Sequence, residues 1–190
     1  KLDNKQLVVF DRLRDAVRLA GGLLPDKTIT DEARDRALES LSRMGQRLRG
    51  LPDDAVRAVG TNTMRQIRDG GAFLRAAEDA LGHPIEIIGG REEARLVYLG
   101  VAHGLATDKD TRLVVDIGGG STELILGRGL EAQERESLFM GCVSMTGRFF
   151  ANGRIRREDM EQAMMVGRLE LRPVQRMFNS DRWRSVVGSS

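Results

Sequence analysis

Apolar residues in the first half of the chain recur alternately with the spacing of strands and of helices. Thr30 is followed by acidic residues and then by apolar residues at helical spacing up to Gly50, which predicts a helix capped by Thr30. An apolar stretch over 5–20 predicts a strand before it, with a turn at Gly21 and Gly22. This alternation indicates an α/β fold with parallel strand pairing. The other predicted elements of this half are strands over 55–59 and 85–88, a helix over 64–81 interrupted at Gly70 and Gly71, a turn at Gly89 and Gly90, and a helix over 91–105.

The pattern restarts after a polar connector at 107–110, so we predict two domains, 1–108 and 109–190. The second is predicted to end in a strand over 185–187 and to begin with three strands, of which one ends at Asp116, the next is its hairpin partner and the third covers 136–140. A pair of helices follows. The eight methionines of the chain are predicted to pack in the core, several of them on one face of the second helix. That face comprises Met160, Ala163, Met164, Gly167, Leu171, Val174 and Met177.

Residues 113–126 carry the most informative motif, an acid and three glycines between two strands. The apolar run 113–115 is typical of a buried strand, and Asp116 ends it. The three glycines predict a turn with positive φ, whose N–H groups approach an anion with no Cβ in the way. A strand returns from the loop where a Walker or dinucleotide-binding loop requires a helix, so both are excluded. An ordinary tight hairpin is the alternative interpretation.

Acidic residues stand on both sides of this loop and at the start of one predicted helix. Asp116 precedes the loop and Glu123 follows it. Oxygen ligands beside a phosphate are typical of magnesium sites. Glu92 and Glu93 lie in the first turn of the helix predicted over 91–105, where the residues alone leave open a catalytic role or an interaction with the helix dipole.

Composition narrows the class of protein. The 190 residues include 30 basic and 28 acidic ones, and a net charge of only +2 argues against a strongly basic nucleic-acid-binding protein. Cys142 is the only cysteine, so it forms no internal disulfide, and we expect a small buried residue in a reducing cytoplasm. No apolar run approaches the roughly 20 residues of a membrane span, so membrane insertion is not expected.

Five segments together resemble the exopolyphosphatase and guanosine pentaphosphate phosphatase family, a branch of the actin, sugar-kinase and heat-shock-chaperone ATPase superfamily. Their order and spacing are similar to those of the family over essentially the whole chain. The resemblance implies two ribonuclease H-like domains facing a cleft, a water molecule activated to cleave a terminal phosphoanhydride, Mg²⁺ as cofactor and a homodimer. The five segments are 18–23, 60–65, 85–98, 116–126 and 140–144.

The resemblance also implies roles for individual residues. Glu93 is then the general base that orients and deprotonates the water. Asp116 and Glu123 hold magnesium directly or through water. Asn62 and Arg65 contact phosphate, although a solvated arginine is the alternative for Arg65. The loop whose backbone cradles the transferred phosphate comprises Gly118, Gly119, Gly120, Ser121 and Thr122.

The family's first phosphate loop, an Asp-x-Gly-Ser-Asn-Ser element, does not occur in the sequence. We therefore expect a fragment, truncated at both ends and inactive by itself. The parent protein is expected to hydrolyse the terminal bonds of inorganic polyphosphate, the 5′-phosphate of guanosine pentaphosphate, or both, and the sequence does not separate these substrates. Two alternatives stay open: a binding module for polyphosphate or phosphorylated nucleotides without activity, and an actin-like ATPase or kinase.

Overall fold

The computed structural model describes residues 2–3, 6–7, 11–105 and 110–190, and these form a mixed α/β fold, as predicted. The strands are β1 (Leu2–Asp3), β2 (Gln6–Leu7), β3 (Ala58–Gly60), β4 (Ile85–Ile87), β5 (Arg112–Ile117), β6 (Thr122–Arg128), β7 (Glu131–Leu138) and β8 (Ser185–Ser189). The helices are α1 (Asp31–Leu48), α2 (Asn62–Gln66), α3 (Gly70–Leu81), α4 (Gly90–Gly104), α5 (Cys142–Phe149) and α6 (Arg157–Leu171).

The chain divides into two compact units that differ from the predicted domains. The first comprises Lys1–Gly60 and Met64–Ile87, and the second comprises Thr61–Thr63 and Ile88–Ser190. The predicted boundary after residue 108 does not coincide with this division, because α4 packs against β5, β6 and β7 of the second unit. Residues 107–109 of the predicted connector lie outside the described residues.

In the first unit, β3 and β4 pair in parallel, as predicted, and α1 packs against α3. The hydroxyl of Thr30 accepts a hydrogen bond from the Ala33 N–H at 3.3 Å, which confirms Thr30 as the N-cap of α1. Ala37, Ile67 and Phe73 form the buried core of this unit. The helix that Thr30 caps follows from the helical spacing of apolar residues in the sequence.

Two predictions for the first unit are wrong. Among the described residues of the stretch 5–20, only Gln6–Leu7 is a strand, and 11–18 has no regular structure. Charged residues interrupt this stretch, and Asp15 binds the side chains of Ser40 and Arg43 on α1. The helix predicted over 64–81 breaks at 67–69, where Asp69 adopts a left-handed φ of 54°, and not at the two glycines that begin α3.

The second unit is built on a four-stranded sheet with the order β7-β6-β5-β8. The hairpin predicted between β5 and β6 is confirmed as an antiparallel pair, whereas β8 runs parallel to β5. Apolar side chains are buried on both faces of this sheet. The face toward α4 buries Ala94, Tyr98, Ala102, Val114 and Ile125, and the opposite face buries Leu113, Leu124, Leu126, Leu138 and Phe178.

Several predictions for the second unit also need correction. The third strand begins at Glu131, five residues earlier than predicted, and α6 ends at Leu171, before the last two residues of its predicted apolar face. Ala163 is the one buried residue of α6. The helical spacing of apolar residues predicted a buried face, but it did not show that most of this face is exposed. Met160, Met164 and Met165 are exposed, and so is Cys142, the first residue of α5.

In the part of the chain that the structure describes, no helix combines the length and the apolar composition that crossing a bilayer requires.

Candidate functional site

Strand register brings two acidic residues together at one end of the β5–β6 hairpin. Asp116 on β5 lies directly opposite Glu123 on β6, next to the turn of the hairpin. Two positions back along the same face, Val114 lies opposite Ile125 in the buried layer beneath α4. The two carboxylates therefore continue an apolar face that α4 covers, and directly opposed like charges destabilise a sheet unless something compensates them.

Glu123 is the most buried acidic side chain of the site, with 1% of its surface exposed. Ser137 on β7 donates a hydrogen bond from its hydroxyl to Glu123 Oε1 at 2.8 Å, and the side chain of Ser121 also hydrogen-bonds Glu123. Burial raises the pKa of Glu123, and the charges of Glu93 and Asp116 raise it further, whereas the two hydrogen bonds act in the opposite direction. Glu93, Asp116 and Glu123 thus lie within electrostatic range of one another.

Glu93 reaches this cluster because of how α4 begins. Gly89 precedes the helix in an extended conformation, and its carbonyl accepts hydrogen bonds from the N–H groups of Glu92 at 3.0 Å and Glu93 at 2.9 Å. Ala94 and Tyr98, one and five residues further along, are fully buried against the sheet. The first turn of α4 therefore lies at the end of the sheet that carries the acidic pair.

Tight packing fixes α4 on this sheet. The hydroxyl of Tyr98 donates to the carbonyl of Gly129 at 3.1 Å, and burial raises the pKa of this phenol. Tyr98 lies over Gly127 of β6 so closely that a Cβ on Gly127 would be 2.2 Å from the tyrosine ring. Only a glycine at position 127 permits this contact.

The loop between β5 and β6 is tied to the start of α5 through its carbonyl groups. The carbonyl of Gly118 accepts a hydrogen bond from the Cys142 N–H at 2.9 Å. The carbonyl of Gly119 accepts from the N–H groups of Val143 at 2.9 Å and Ser144 at 3.0 Å. These bonds satisfy the first N–H donors of α5 and hold the loop in one position.

The N–H groups of the same loop are arranged differently. Gly118 donates to the carbonyl of Ser121 at 3.0 Å, but no backbone carbonyl of the described residues accepts from the N–H groups of Gly119, Gly120 or Ser121. Consecutive N–H groups of a turn that have no backbone acceptor are available to bind an anion. The hydroxyl of Thr122 donates to the Met140 carbonyl at 2.6 Å, so this side chain supports the loop from within the protein.

The glycines are needed for space and not for positive φ, which corrects the prediction from sequence. None of Gly118, Gly119 and Gly120 adopts a positive φ. A Cβ on Gly120 would lie 2.5 Å from the side-chain nitrogen of Asn62, and a Cβ on Gly141 would lie 2.5 Å from the backbone of Gly119. The backbone of Gly119 therefore excludes a side chain at position 141, and a side chain at position 120 would displace Asn62 or the loop.

Asn62 and Arg65, the other two predicted phosphate contacts, lie in different units of the structure. Asn62 is buried and packs on Gly120, so it belongs to the loop region of the second unit. Arg65, although on the same short helix α2, belongs to the first unit and is half-buried. Phosphate contact stays a prediction for both residues.

The acidic pair fits a magnesium ion in its chemistry. Asp116 Oδ1 is buried and has no hydrogen-bond partner among the described residues, and a cation would relieve the mutual repulsion of the neighbouring carboxylates. No group of three or more histidine, cysteine, aspartate or glutamate side chains in the described residues is spaced to hold a metal. The described residues therefore offer a two-carboxylate site, whose other ligands would be water and phosphate oxygens.

Two supporting interactions were not predicted from the sequence. Ser137 holds Glu123, and Arg91 Nη2 forms an ion pair with Glu136 Oε1 at 2.6 Å. Leu126 pairs with Glu134 but Gly127 pairs with Ala132, so β7 carries one extra residue at this register shift. Simple alternation in the sequence therefore could not place Ser137.

A match to a protein-family model establishes the family relationship that the sequence suggested. The model of the Ppx/GppA phosphatase family matches residues 1–190, the whole chain. The chain belongs to this family.

Solved structures of Ppx/GppA proteins agree with this membership. An exopolyphosphatase-like protein is 28% identical and superimposes with a TM-score of 0.91 over 100% of this chain and 60% of its own. An exopolyphosphatase from Cytophaga hutchinsonii is 26% identical, with a TM-score of 0.83 over 100% of this chain and 61% of its own. The PPX-GPPA enzyme of Aquifex aeolicus, 24% identical, shares the fold with a TM-score of 0.71 over 98% of this chain and 60% of its own.

The chain thus spans about 60% of the length of these Ppx/GppA relatives.

Proposed function

We propose that the complete protein hydrolyses terminal phosphoanhydride bonds, of inorganic polyphosphate or at the 5′-phosphate of guanosine pentaphosphate, and releases phosphate. The observation that supports this most is the convergence of Glu93, Asp116 and Glu123 at the end of the sheet where the glycine loop turns. Membership of a phosphatase family adds to it. The N–H groups of the loop would supply a phosphate-binding site, and an acidic residue beside them would supply a general base that deprotonates water.

In this proposal the glycine loop binds the terminal phosphoryl group, and Glu93 activates the water. The N–H groups of Gly119, Gly120 and Ser121 hold the oxygens of the terminal phosphoryl group. Glu93 takes a proton from a water molecule, and the oxygen of this water bonds to the terminal phosphorus. The bond from that phosphorus to the bridging oxygen breaks, and its electrons remain on the bridging oxygen of the shortened substrate. Products are orthophosphate and a chain shorter by one phosphate.

Magnesium is part of the proposal, with Asp116 and Glu123 as the residues that would hold it. When bound, the ion would neutralise charge on the phosphate oxygens. Glu123 is fixed for this role by Ser137 and Ser121, and Asp116 by its place opposite Glu123 in the sheet. We further propose that the complete protein is a homodimer, as the family resemblance implies. We also propose that it is cytoplasmic, because the one cysteine of this chain needs no oxidising compartment.

A direct test measures phosphate release by the complete protein from long-chain polyphosphate, guanosine pentaphosphate and ATP, each with Mg²⁺. We expect release from one or both of the first two substrates, at a kcat/KM at least about tenfold above that for ATP. Release from ATP alone would favour the actin-like ATPase alternative. Tight polyphosphate binding without release would favour the binding module.

A further inference from the structure

One ion pair links the start of α4 to the strand that supports the acidic pair. Arg91 Nη2 lies 2.6 Å from Glu136 Oε1, and Arg91 Nε lies 3.4 Å from Glu136 Oε2, so the guanidinium contacts both oxygens of the carboxylate. The Arg91 side chain is 71% exposed, but that of Glu136 is only 19% exposed. A two-point contact of this kind fixes orientation better than a single bond does.

The two ends of this pair each neighbour a residue of the site. Arg91 lies two positions before Glu93 in the first turn of α4. Glu136 lies one position before Ser137, whose hydroxyl holds Glu123. Successive residues of β7 thus contact Arg91 at the start of α4 and the buried carboxylate of Glu123.

The first turn of α4 lies between two buried residues, Ile88 before the helix and Ala94 within it. Gly89 provides no side-chain cap, and the first buried residue within α4 is Ala94. Helix ends open more readily than helix centres, because their hydrogen bonds are few and partly exposed to water. A restraint at such an end helps to keep a base within hydrogen-bond reach of one water molecule.

We propose that Arg91 and Glu136 are positioning residues that fix Glu93 relative to the glycine loop. They touch neither substrate nor the reacting atoms, and they act through the orientation of the helix start. This inference rests on the proposed function for its effect on turnover, but the restraint itself is a property of the free protein. An exposed ion pair contributes little to global stability, so its loss should alter activity more than folding.

The experiment compares three changes in the complete protein, Arg91→Gln, Glu136→Gln and the double reversal Arg91→Glu with Glu136→Arg. Arg95→Gln is the matched control, because Arg95 pairs at 2.7 Å with Glu92 on the same helix and does not tie α4 to the sheet. For each single change at the pair we expect kcat for phosphate release to fall about tenfold with KM within twofold, since misplacement of a reacting group lowers the rate and leaves binding intact. The double reversal should recover most of the loss, and the control should stay within twofold of wild type.

Amide hydrogen exchange in the free protein separates this inference from the proposed function. The N–H groups of Glu92 and Glu93 should exchange about tenfold faster in Arg91→Gln and at the wild-type rate in Arg95→Gln. If wild type released no phosphate, the proposed function would fail and exchange alone would decide the restraint. Unchanged exchange at both amides, or unchanged kcat in a hydrolysing protein that carries Arg91→Gln or Glu136→Gln, would overturn the inference.

Discussion

Asp116 and Glu123 lie directly opposite each other across β5 and β6, at the point where the hairpin turns through its three glycines. Their separation along the sequence is set by the loop, so one short segment supplies both carboxylates and the N–H groups between them. The third acid, Glu93, comes from a helix that crosses the same face of the sheet. Local sequence therefore builds two parts of the site, and packing of α4 adds the third.

The raised pKa of Glu123 predicts an unusual dependence of stability on pH. The folded protein binds a proton at Glu123 at pH values where the unfolded chain, with the usual carboxyl pKa of 4.5, has lost it. The stability that this proton contributes is complete below about pH 4.5 and is lost as the pH rises through the folded pKa. Glu123→Gln should raise the free energy of unfolding at pH 7 and flatten this decline.

Chemical denaturation between pH 4 and pH 8 checks the prediction. Glu131→Gln is the control, because Glu131 is an exposed acid on β7 and its replacement should leave the pH profile unchanged. Equal stability of wild type and Glu123→Gln at every pH would show that burial of this carboxylate does not lower the free energy of unfolding.

A side chain at position 120 should damage phosphate binding. In Gly120→Ala the new Cβ would meet the Asn62 side chain at 2.5 Å, so either Asn62 or the loop has to move. We expect polyphosphate affinity of the complete protein to fall at least about tenfold, because the N–H donors lose their common direction. Isothermal titration measures it, with Gly147→Ala on α5 as control, where a Cβ meets nothing within 4 Å. An undiminished affinity in folded Gly120→Ala would show that the loop is only a hairpin turn.

Removal of a carboxylate should change the magnesium requirement. Asp116→Asn keeps the shape of the side chain but loses one charged oxygen ligand, so half-maximal phosphate release should need about tenfold more Mg²⁺. Substrate oxygens and water still supply the remaining ligands. Titration of Mg²⁺ at saturating polyphosphate measures the shift, with Asp54→Asn in an exposed 3₁₀ turn as control. Identical magnesium curves for wild type and Asp116→Asn would remove the metal assignment.

The sequence predicted the glycine hairpin and its flanking acids because this chemistry is local. Alternation along β6 and the apolar run of β5 fix both strands and the loop between them. It also predicted the position of Glu93 at a helix start, although the predicted start was one residue late. Patterns within one segment were enough for these elements.

What the sequence did not predict depends on contacts between segments. The stretch 5–20 contains apolar residues, but Asp15 binds α1 and the described residues 11–18 stay irregular. The register shift between β6 and β7 places Ser137, and not its neighbour, opposite Glu123. The division between units at Ile87 arises because the buried face of α4 finds its partners on β5, β6 and β7. Propensity within a segment does not specify such partners.

We propose that Glu93 is the base and that its neighbour Glu92 is not. The measurement is kcat and polyphosphate affinity for Glu93→Gln and Glu92→Gln in the complete protein, because the two residues share one helix turn and differ by one position. Loss of a positioned base costs roughly two to four orders of magnitude in rate. We predict that Glu93→Gln lowers kcat by at least about a hundredfold with affinity within a fewfold, whereas Glu92→Gln stays within threefold of wild type. Turnover by Glu93→Gln at a third or more of the wild-type rate would show that Glu93 is not the base.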